Sequence, residues 1–224
     1  MDDLALILFD VDGTLVDSQS EILAAMHDAF AAIKQPAPNG DAILSTVGLS
    51  LDQAMMQLLT SNCDTSVIPV AVEAYKQSYL KSREAGAMSV LYSGIADLLR
   101  KCGTHENWFL GLATGKSRRG VNALEDYYDW GGMFQTIQTA DTHPSKPNPA
   151  MIRAALEETG VPAQRCLFIG DTTHDMQMAK AADVGFVGVS WGYHPVDRFD
   201  VAFRVAEIPQ SVYQAITDWL ERET

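Results

Sequence analysis

Short apolar runs, each closed by a polar or small residue, fall at positions 4–9, 108–113, 166–169 and 186–189 and predict buried strands. A shorter run at 136–138 predicts another. Apolar residues recur at helical spacing over 95–101, 120–128, 149–159 and 175–182. Strands alternating with helices predict an α/β fold, a Rossmann-like parallel sheet covered on both faces. Residues 18–85 differ in texture, with no strand pattern and several amphipathic stretches. The first places Ile22, Leu23, Met26, Ala29, Phe30 and Ile33 on one helical face behind a Ser18–Glu21 capping box, and Pro36 and Pro38 close it. Positions 52–59 and 67–82 predict two more helices. The expected division is an α/β core of residues 1–16 and 87–224 with an inserted α-helical cap domain of residues 17–86.

A chain of 224 residues suits one domain carrying such an insertion. At this size roughly 70% of the unfolded surface is buried on folding, so the core needs no disulfide or structural metal. Apolar residues make up 47% and charged residues 20%, which excludes disorder. The net charge of −13 repels phosphate backbones and anionic lipid, so neither nucleic acid nor a membrane surface is an expected partner. Cys63, Cys102 and Cys166 are scattered, spell no zinc motif and suit a reducing compartment. Met1-Asp2-Asp3 and the short apolar run behind it are too acidic and too short for a signal peptide. The expected setting is cytoplasmic, as a monomer or small homo-oligomer.

Ligands of parallel α/β sheets collect at the carboxyl ends of the strands. The residues that follow the predicted strands converge on one chemistry. After the first comes Asp10-Val11-Asp12-Gly13-Thr14, after the second Thr114-Gly115-Lys116, and after the third Asp171 and Asp175; Ser145-Lys146-Pro147 lies between the last two. Four carboxylates at one edge repel one another and raise each other's pKa, and a divalent cation with oxygen ligands, Mg2+ above all, resolves this. A lysine, a threonine hydroxyl and free backbone amides at the same edge can hold phosphate oxygens. Acids, magnesium and phosphate binders together describe phosphoryl transfer. Singly, each residue has a plainer reading: Thr114 or Asp175 as a helix cap, Lys146 as a solvated charge. An EF-hand calcium loop starting at Asp10 fails, because Leu15 stands where the turn glycine belongs.

The segment Asp10-Val11-Asp12-Gly13-Thr14-Leu15-Val16-Asp17-Ser18 resembles the first motif of haloacid dehalogenase superfamily phosphatases. Thr114, Lys146 in Ser-Lys-Pro-Asn-Pro, and Gly170-Asp171-x-x-x-Asp175 match the later motifs in order, and the helical insertion sits where the family's small cap does. The chain looks most like the phosphoglycolate phosphatase type. The resemblance implies that Asp10 is the nucleophile and Asp12 the acid and base. It implies Mg2+ held by the Asp10 carboxylate, the Asp12 carbonyl and Asp171, with Asp175 in support, and phosphate held by Thr114, Gly115 and Lys146. Within the loop Thr46-Val47-Gly48-Leu49-Ser50, Gly48 allows close approach and Ser50 is a candidate for substrate specificity; helix breaking and capping explain the pair as well. Lys116, Arg118 and Arg119 open a helix and could attract an anionic tail, and a solvated basic helix start explains them at least as well. His174 is expected to point outward and no histidine is given a role; Trp191-Gly192-Tyr193 is expected to shape the rim. The expected activity is Mg2+-dependent hydrolysis of a small phosphorylated metabolite. A β-phosphoglucomutase-like phosphosugar mutase and an inorganic pyrophosphatase share the motifs, and a phosphoacceptor signalling module is the non-enzymatic alternative.

Overall fold

The computed structural model describes residues 4–59 and 64–222; Cys63 and the Met1-Asp2-Asp3 start fall outside them. In chain order the elements are β1 (Ala5–Phe9), β2 (Val16–Asp17), α1 (Gln19–Ala32), α2 (Gly40–Leu44), α3 (Leu51–Leu58), α4 (Ile68–Glu84), β3 (Val90–Leu91) and α5 (Ile95–Cys102). There follow β4 (Trp108–Thr114), α6 (Arg118–Tyr128), β5 (Thr136–Thr139), α7 (Ala150–Thr159), β6 (Cys166–Gly170), α8 (Thr173–Ala182), β7 (Gly185–Val189), β8 (Arg204–Ala206) and α9 (Pro209–Arg222).

Six strands form one parallel sheet in the order β5-β4-β1-β6-β7-β8. All five β1 residues are buried, and the pleat divides them between two apolar layers. Ala5, Ile7 and Phe9 face the layer closed by α5, α6 and α9, while Leu6 and Leu8 face the one closed by α7 and α8. A strand buried on both sides reads as a continuous apolar run, which is why the sequence shows it so clearly. β1 is flanked by β4 and β6, so chain crossings leave to both sides of it and a crevice opens at its carboxyl end.

α1 to α4 pack on one another around a separate apolar cluster that includes Met26, Phe30, Ile43, Met55 and Val72. The expected face of α1 is buried at Ile22, Met26, Ala29 and Phe30. The Ser18–Glu21 capping box does not form: Ser18 Oγ donates instead to Asp12 Oδ1 at 2.6 Å. That bond turns the hydroxyl towards the Asp12 carboxylate and away from the amides at the start of α1, from which a capping serine would accept. The antiparallel pair β2–β3 joins the entry and exit of this helical layer, with Val16 opposite Leu91. No helix among the described residues is long and apolar enough to cross a membrane. Cys102 and Cys166 are buried free thiols, and burial pushes the Cys102 thiol up to about 12.

Candidate active site

The ends of β1, β4 and β6 bring Asp10, Thr114 and Asp171 together, as the sequence predicts, and all three are buried. Lys146, from the loop between β5 and α7, is 1% exposed and therefore no solvated surface charge. Its Nζ donates to Asp10 Oδ1 at 2.7 Å and to Asp175 Oδ1 at 2.6 Å. Asp175 Oδ2 accepts from the Thr172 amide and hydroxyl, completing a capping box at the start of α8. Asp175 is thus a cap and a site residue at once, since a carboxylate has two oxygens to spend. Thr114 is not a helix cap; Ser117 caps α6, and Thr114 Oγ1 accepts from the Lys116 amide. Asp171 is fixed by donation from Thr14 Oγ1 at 2.8 Å and from the Tyr193 amide at 2.9 Å. Gly13 has φ +87°, and any side chain there would run into the Asp171 carboxylate, so only glycine closes this turn.

One ligand oxygen from each of Asp10, Asp171 and Asp175 lies within 4.8 Å of the others. Against three buried carboxylates stands, among the described residues, a single ammonium in ion-pair contact, that of Lys146. Were all three ionised, two negative charges would be left without a counter-charge. Burial, with Asp175 adding to it against the pull of Lys146, pushes the Asp10 carboxyl from 3.8 up to about 7. Asp171 rises well above the usual carboxylate range, mainly through burial and then through Asp175 and Asp10. Burial disfavours the Lys146 ammonium, but Asp10 and Asp175 outweigh it and hold its pKa above that of a free lysine. Asp10 Oδ2 is buried and meets no donor. A crowded set of hard oxygen donors, one of them orphaned, fits a small divalent cation such as Mg2+.

Asp12 stands apart from this cluster by its side chain. Its Oδ1 accepts from Ser18 Oγ and from Lys116 Nζ at 2.8 Å. This corrects the reading of Lys116: α6 starts at Arg118, and the Lys116 side chain is 8% exposed and paired with Asp12 rather than free to draw in an anion. Arg118 donates its amide to Asp141 and lies 3.7 Å from Glu125. His174 does not point outward either. His174 Nε2 and His194 Nε2 both reach the Ser45 carbonyl, at 3.3 and 3.1 Å, and burial lowers the pKa of both rings. Tyr193 does more than shape a rim, because its hydroxyl accepts from the Ser18 amide while its own amide holds Asp171.

The loop carrying Gly48 and Ser50 is brought against the core. Gly48 has φ +93°, and the Gly48 and Leu49 carbonyls approach Gly115 so closely that a Cβ at 115 would sit 2.8 and 2.7 Å from them. The Ser50 amide donates to Ser145 Oγ at 2.7 Å, and Ser50 stands at the N-cap position of α3 without a side-chain cap bond. Between core and helices lies a cavity of about 390 Å³, bounded by Asp10, Asp12, Thr114 and Gly115 on one side and by the 46–50 loop, α1, α3 and α4 on the other. Lys146, Asp171 and Asp175 lie behind this floor rather than on its surface. For Tyr193 and Lys116, which the sequence singles out, what sequence reasoning misses is the partners, Asp171 and Asp12, remote in the chain. Tyr193 follows β7, so the strand-end rule that found the aspartates applies to it as well.

A profile of the haloacid dehalogenase-like hydrolases matches residues 7–189. The chain is 32% identical over 199 residues to the protein named "Probable phosphatase IndB" from Dickeya dadantii, across 88% of this chain and 86% of that one. It is 33% identical over 198 residues to the phosphoglycolate phosphatase of Pseudomonas syringae pv. tomato, across 84% of this chain and 70% of that one. The fold is shared with a hydrolase from Pseudomonas syringae, with a TM-score of 0.83, 24% identity and coverage of 96% and 98%.

Proposed function

The chain belongs to the haloacid dehalogenase-like hydrolases and is a phosphatase of that family, and on that premise we propose that it hydrolyses small phosphate monoesters with Mg2+ through a phosphorylated Asp10. The observation that carries the proposal is the buried Asp10 Oδ2, free of any donor at the floor of the cavity. Asp10, Asp171 and the Asp12 main-chain carbonyl, with Asp175 in support, would hold Mg2+, which would supply the counter-charge that lets crowded carboxylates and a phosphate dianion share one site.

The remaining work falls to side chains. Lys146 and Asp175 fix the Asp10 carboxylate, so the nucleophile is oriented before substrate arrives. Asp10 attacks phosphorus as the ester oxygen leaves, and Asp12 gives that oxygen its proton. In the second half Asp12 takes a proton from water, the water oxygen attacks phosphorus, and Asp10 is released with inorganic phosphate. Ser18 and Lys116 hold Asp12 on the cavity side of Asp10 through both halves. Thr114, Lys146 and the Gly115 amide are the donors for the phosphate oxygens as their charge shifts in the transition state. Residues 17–86 act as the cap over residues 1–16 and 87–224, in a protein that works in the cytoplasm. The separate apolar cluster of α1–α4 and the short β2–β3 junction support that division.

The test is phosphate release from a panel of esters, phosphoglycolate included, with Mg2+ and with EDTA. Activity should need the metal and should deliver phosphate to water rather than to a second hydroxyl of the substrate. Full activity in metal-free protein overturns the proposal.

A further inference from the structure

We infer that Arg83 is a specificity-determining residue, and that it receives a second anionic group, a carboxylate or another phosphate, carried by the body of the phosphate ester. The inference rests on the phosphatase reading above and deepens it by naming what the helical wall of the cavity selects. The chain has a net charge of −13, so an acidic ester meets repulsion in the field of the whole molecule. Cations must be gathered wherever such a ligand is to bind, and the cavity gathers them. Lys76 and Arg83 of α4 line its helical side, and Lys116 and Arg119 line its core side.

The four cations differ in what they already hold. Lys116 Nζ lies 2.8 Å from Asp12 Oδ1, so its charge is answered within the site. Lys76, Arg83 and Arg119 have no carboxylate within ion-pair distance among the described residues. Lys76 and Arg119 are exposed, and water solvates their charge. Arg83 is half-buried. Glu21 borders a second, small recess together with Arg83 and still makes no ion pair with it. A guanidinium that has lost part of its water and gained no carboxylate keeps an uncompensated charge, and its planar fork of donors matches a carboxylate or a phosphate.

The position fits a second group of the same molecule. The Tyr79 ring centroid is 5.4 Å from Lys116 Nζ and 5.8 Å from the Arg83 guanidinium carbon, so one aromatic side chain bridges the two cations. With the ester oxygen at Asp12, as the phosphatase reading has it, Lys116 and Tyr79 lead in short steps from the reacting end to Arg83. The transferred phosphate belongs in that reading to the floor, beside Asp10, Thr114 and Gly115. An anion at Arg83 is therefore a different group, on the part of the ester that leaves. A neutral hydroxylated body would leave the Arg83 charge unanswered, and an apolar one would strip it of its remaining water.

The experiment is steady-state kinetics of the full chain with Mg2+ on two matched pairs of esters, with p-nitrophenyl phosphate as a generic reference. 3-Phosphoglycerate has a carboxylate where glycerol 3-phosphate has a hydroxymethyl group, and fructose 1,6-bisphosphate adds a second phosphate to fructose 6-phosphate. In at least one pair the acidic ester should exceed its neutral partner in kcat/KM by about 10-fold or more, the scale of one hydrogen bond to a charged group. The pair that does so tells carboxylate from phosphate. Arg83→Met removes the charge and keeps an apolar stem. It should lower kcat/KM for the acidic ester about 10-fold more than for its neutral partner, chiefly through KM, and Arg83→Lys should keep part of the preference. A thermal melt verifies that the variants are folded, and Arg83→Gln serves in place of a methionine variant that is not. Acidic esters no better than their neutral partners overturn the inference and leave the phosphatase reading standing. So does a preference that survives loss of the Arg83 charge, or a loss that is equal on every ester. Folded wild-type protein that cleaves no ester, p-nitrophenyl phosphate included, overturns the phosphatase reading and the inference with it.

Discussion

On the core side of the cavity Lys146 lies 2.7 Å from Asp10 and 2.6 Å from Asp175, and Asp171 is held by Thr14 and Tyr193. On the helical side Tyr75 and Tyr79 stand 5.2 Å apart, and Arg83, half-buried beside Tyr79, has no carboxylate within ion-pair distance among the described residues. The core side fixes its side chains through ion pairs and hydrogen bonds and leaves Asp10 Oδ2 open at the cavity floor, as a site must that performs one reaction on any phosphate. The helical side leaves the Arg83 charge without a carboxylate partner among the described residues, as a surface must that takes its complement from the ligand. Reaction and selectivity are therefore separable here, and substitutions on the two sides should fail in different ways.

The largest effect belongs to the two aspartates after β1. Asp10→Asn keeps the shape but removes the nucleophile, and turnover should fall by at least about 10⁴-fold on every ester. Asp12→Asn keeps the main-chain carbonyl but loses the proton donor, at a cost of about 10²–10⁴-fold on alkyl esters. The loss should shrink for p-nitrophenyl phosphate, whose leaving group departs without a proton. Rates of both variants on both esters check this; equal impairment by Asp12→Asn would contradict the acid role.

Next comes Lys146→Met, which leaves Asp10 and Asp175 without their cation. Breaking a buried pair in this way should destabilise the metal-free protein by about 3–5 kcal/mol at pH 8, read from urea denaturation. A loss below ~1 kcal/mol would show that Lys146 does not compensate the cluster.

The dependence of metal binding on pH follows from Asp10. Its folded pKa of about 7 lies above the 3.8 of the unfolded chain, so folding without metal loses stability as pH rises between those values. Mg2+ requires the carboxylate form, so the rise in Tm that it produces should be small at pH 5, grow through pH 7 and then level. His174 and His194 have lowered pKa values and act in the opposite sense, gaining stability as pH rises towards 6.5, but they cancel between runs with and without metal. A metal-induced shift independent of pH would contradict the crowding of the carboxylates.

The smallest effect tests the contact between the two sides. Gly48→Val puts a β-branched residue at φ +93° with its Cβ 3.1 Å from Thr172 Oγ1. The strain should cost about 1–3 kcal/mol of stability. Activity should fall further on the preferred substrate than on p-nitrophenyl phosphate, and an equal loss on both would make the loop purely structural.

The core side was legible in the sequence because its logic is local. Strands buried on both faces show as apolar runs, and the residues after them mark the crevice, so Asp10, Thr114 and Asp171 can be placed without knowing any contact. The strand pairs Val16–Asp17 and Val90–Leu91 are too short to leave a pattern, and β8 is a three-residue edge strand. α9 carries Val212, Ala215, Ile216 and Leu220 at helical spacing, a signal that a search from strand to strand passes over. Ser18 shows the other way in which local reading fails, since a helix-start pattern yielded to a carboxylate six residues back. Lys116, Tyr193 and the pairing of His174 with His194 over Ser45 depend on distances that exist only after folding. On the helical side, the spacing of Tyr75, Tyr79 and Arg83 on α4 was visible, but nothing in it separates a substrate wall from an ordinary core face.

The central claim is that the phosphoryl group passes through Asp10. The most direct measurement is to quench the enzyme during turnover with substrate and Mg2+, reduce it with borohydride, and map the product by mass spectrometry. An acyl phosphate is reduced to the alcohol, so homoserine should replace aspartate at position 10, in proportion to substrate and never in Asp10→Asn. Phosphorylation mapped to another residue, or an Asp10→Asn variant that still turns over at a rate near that of the wild type, would contradict the account.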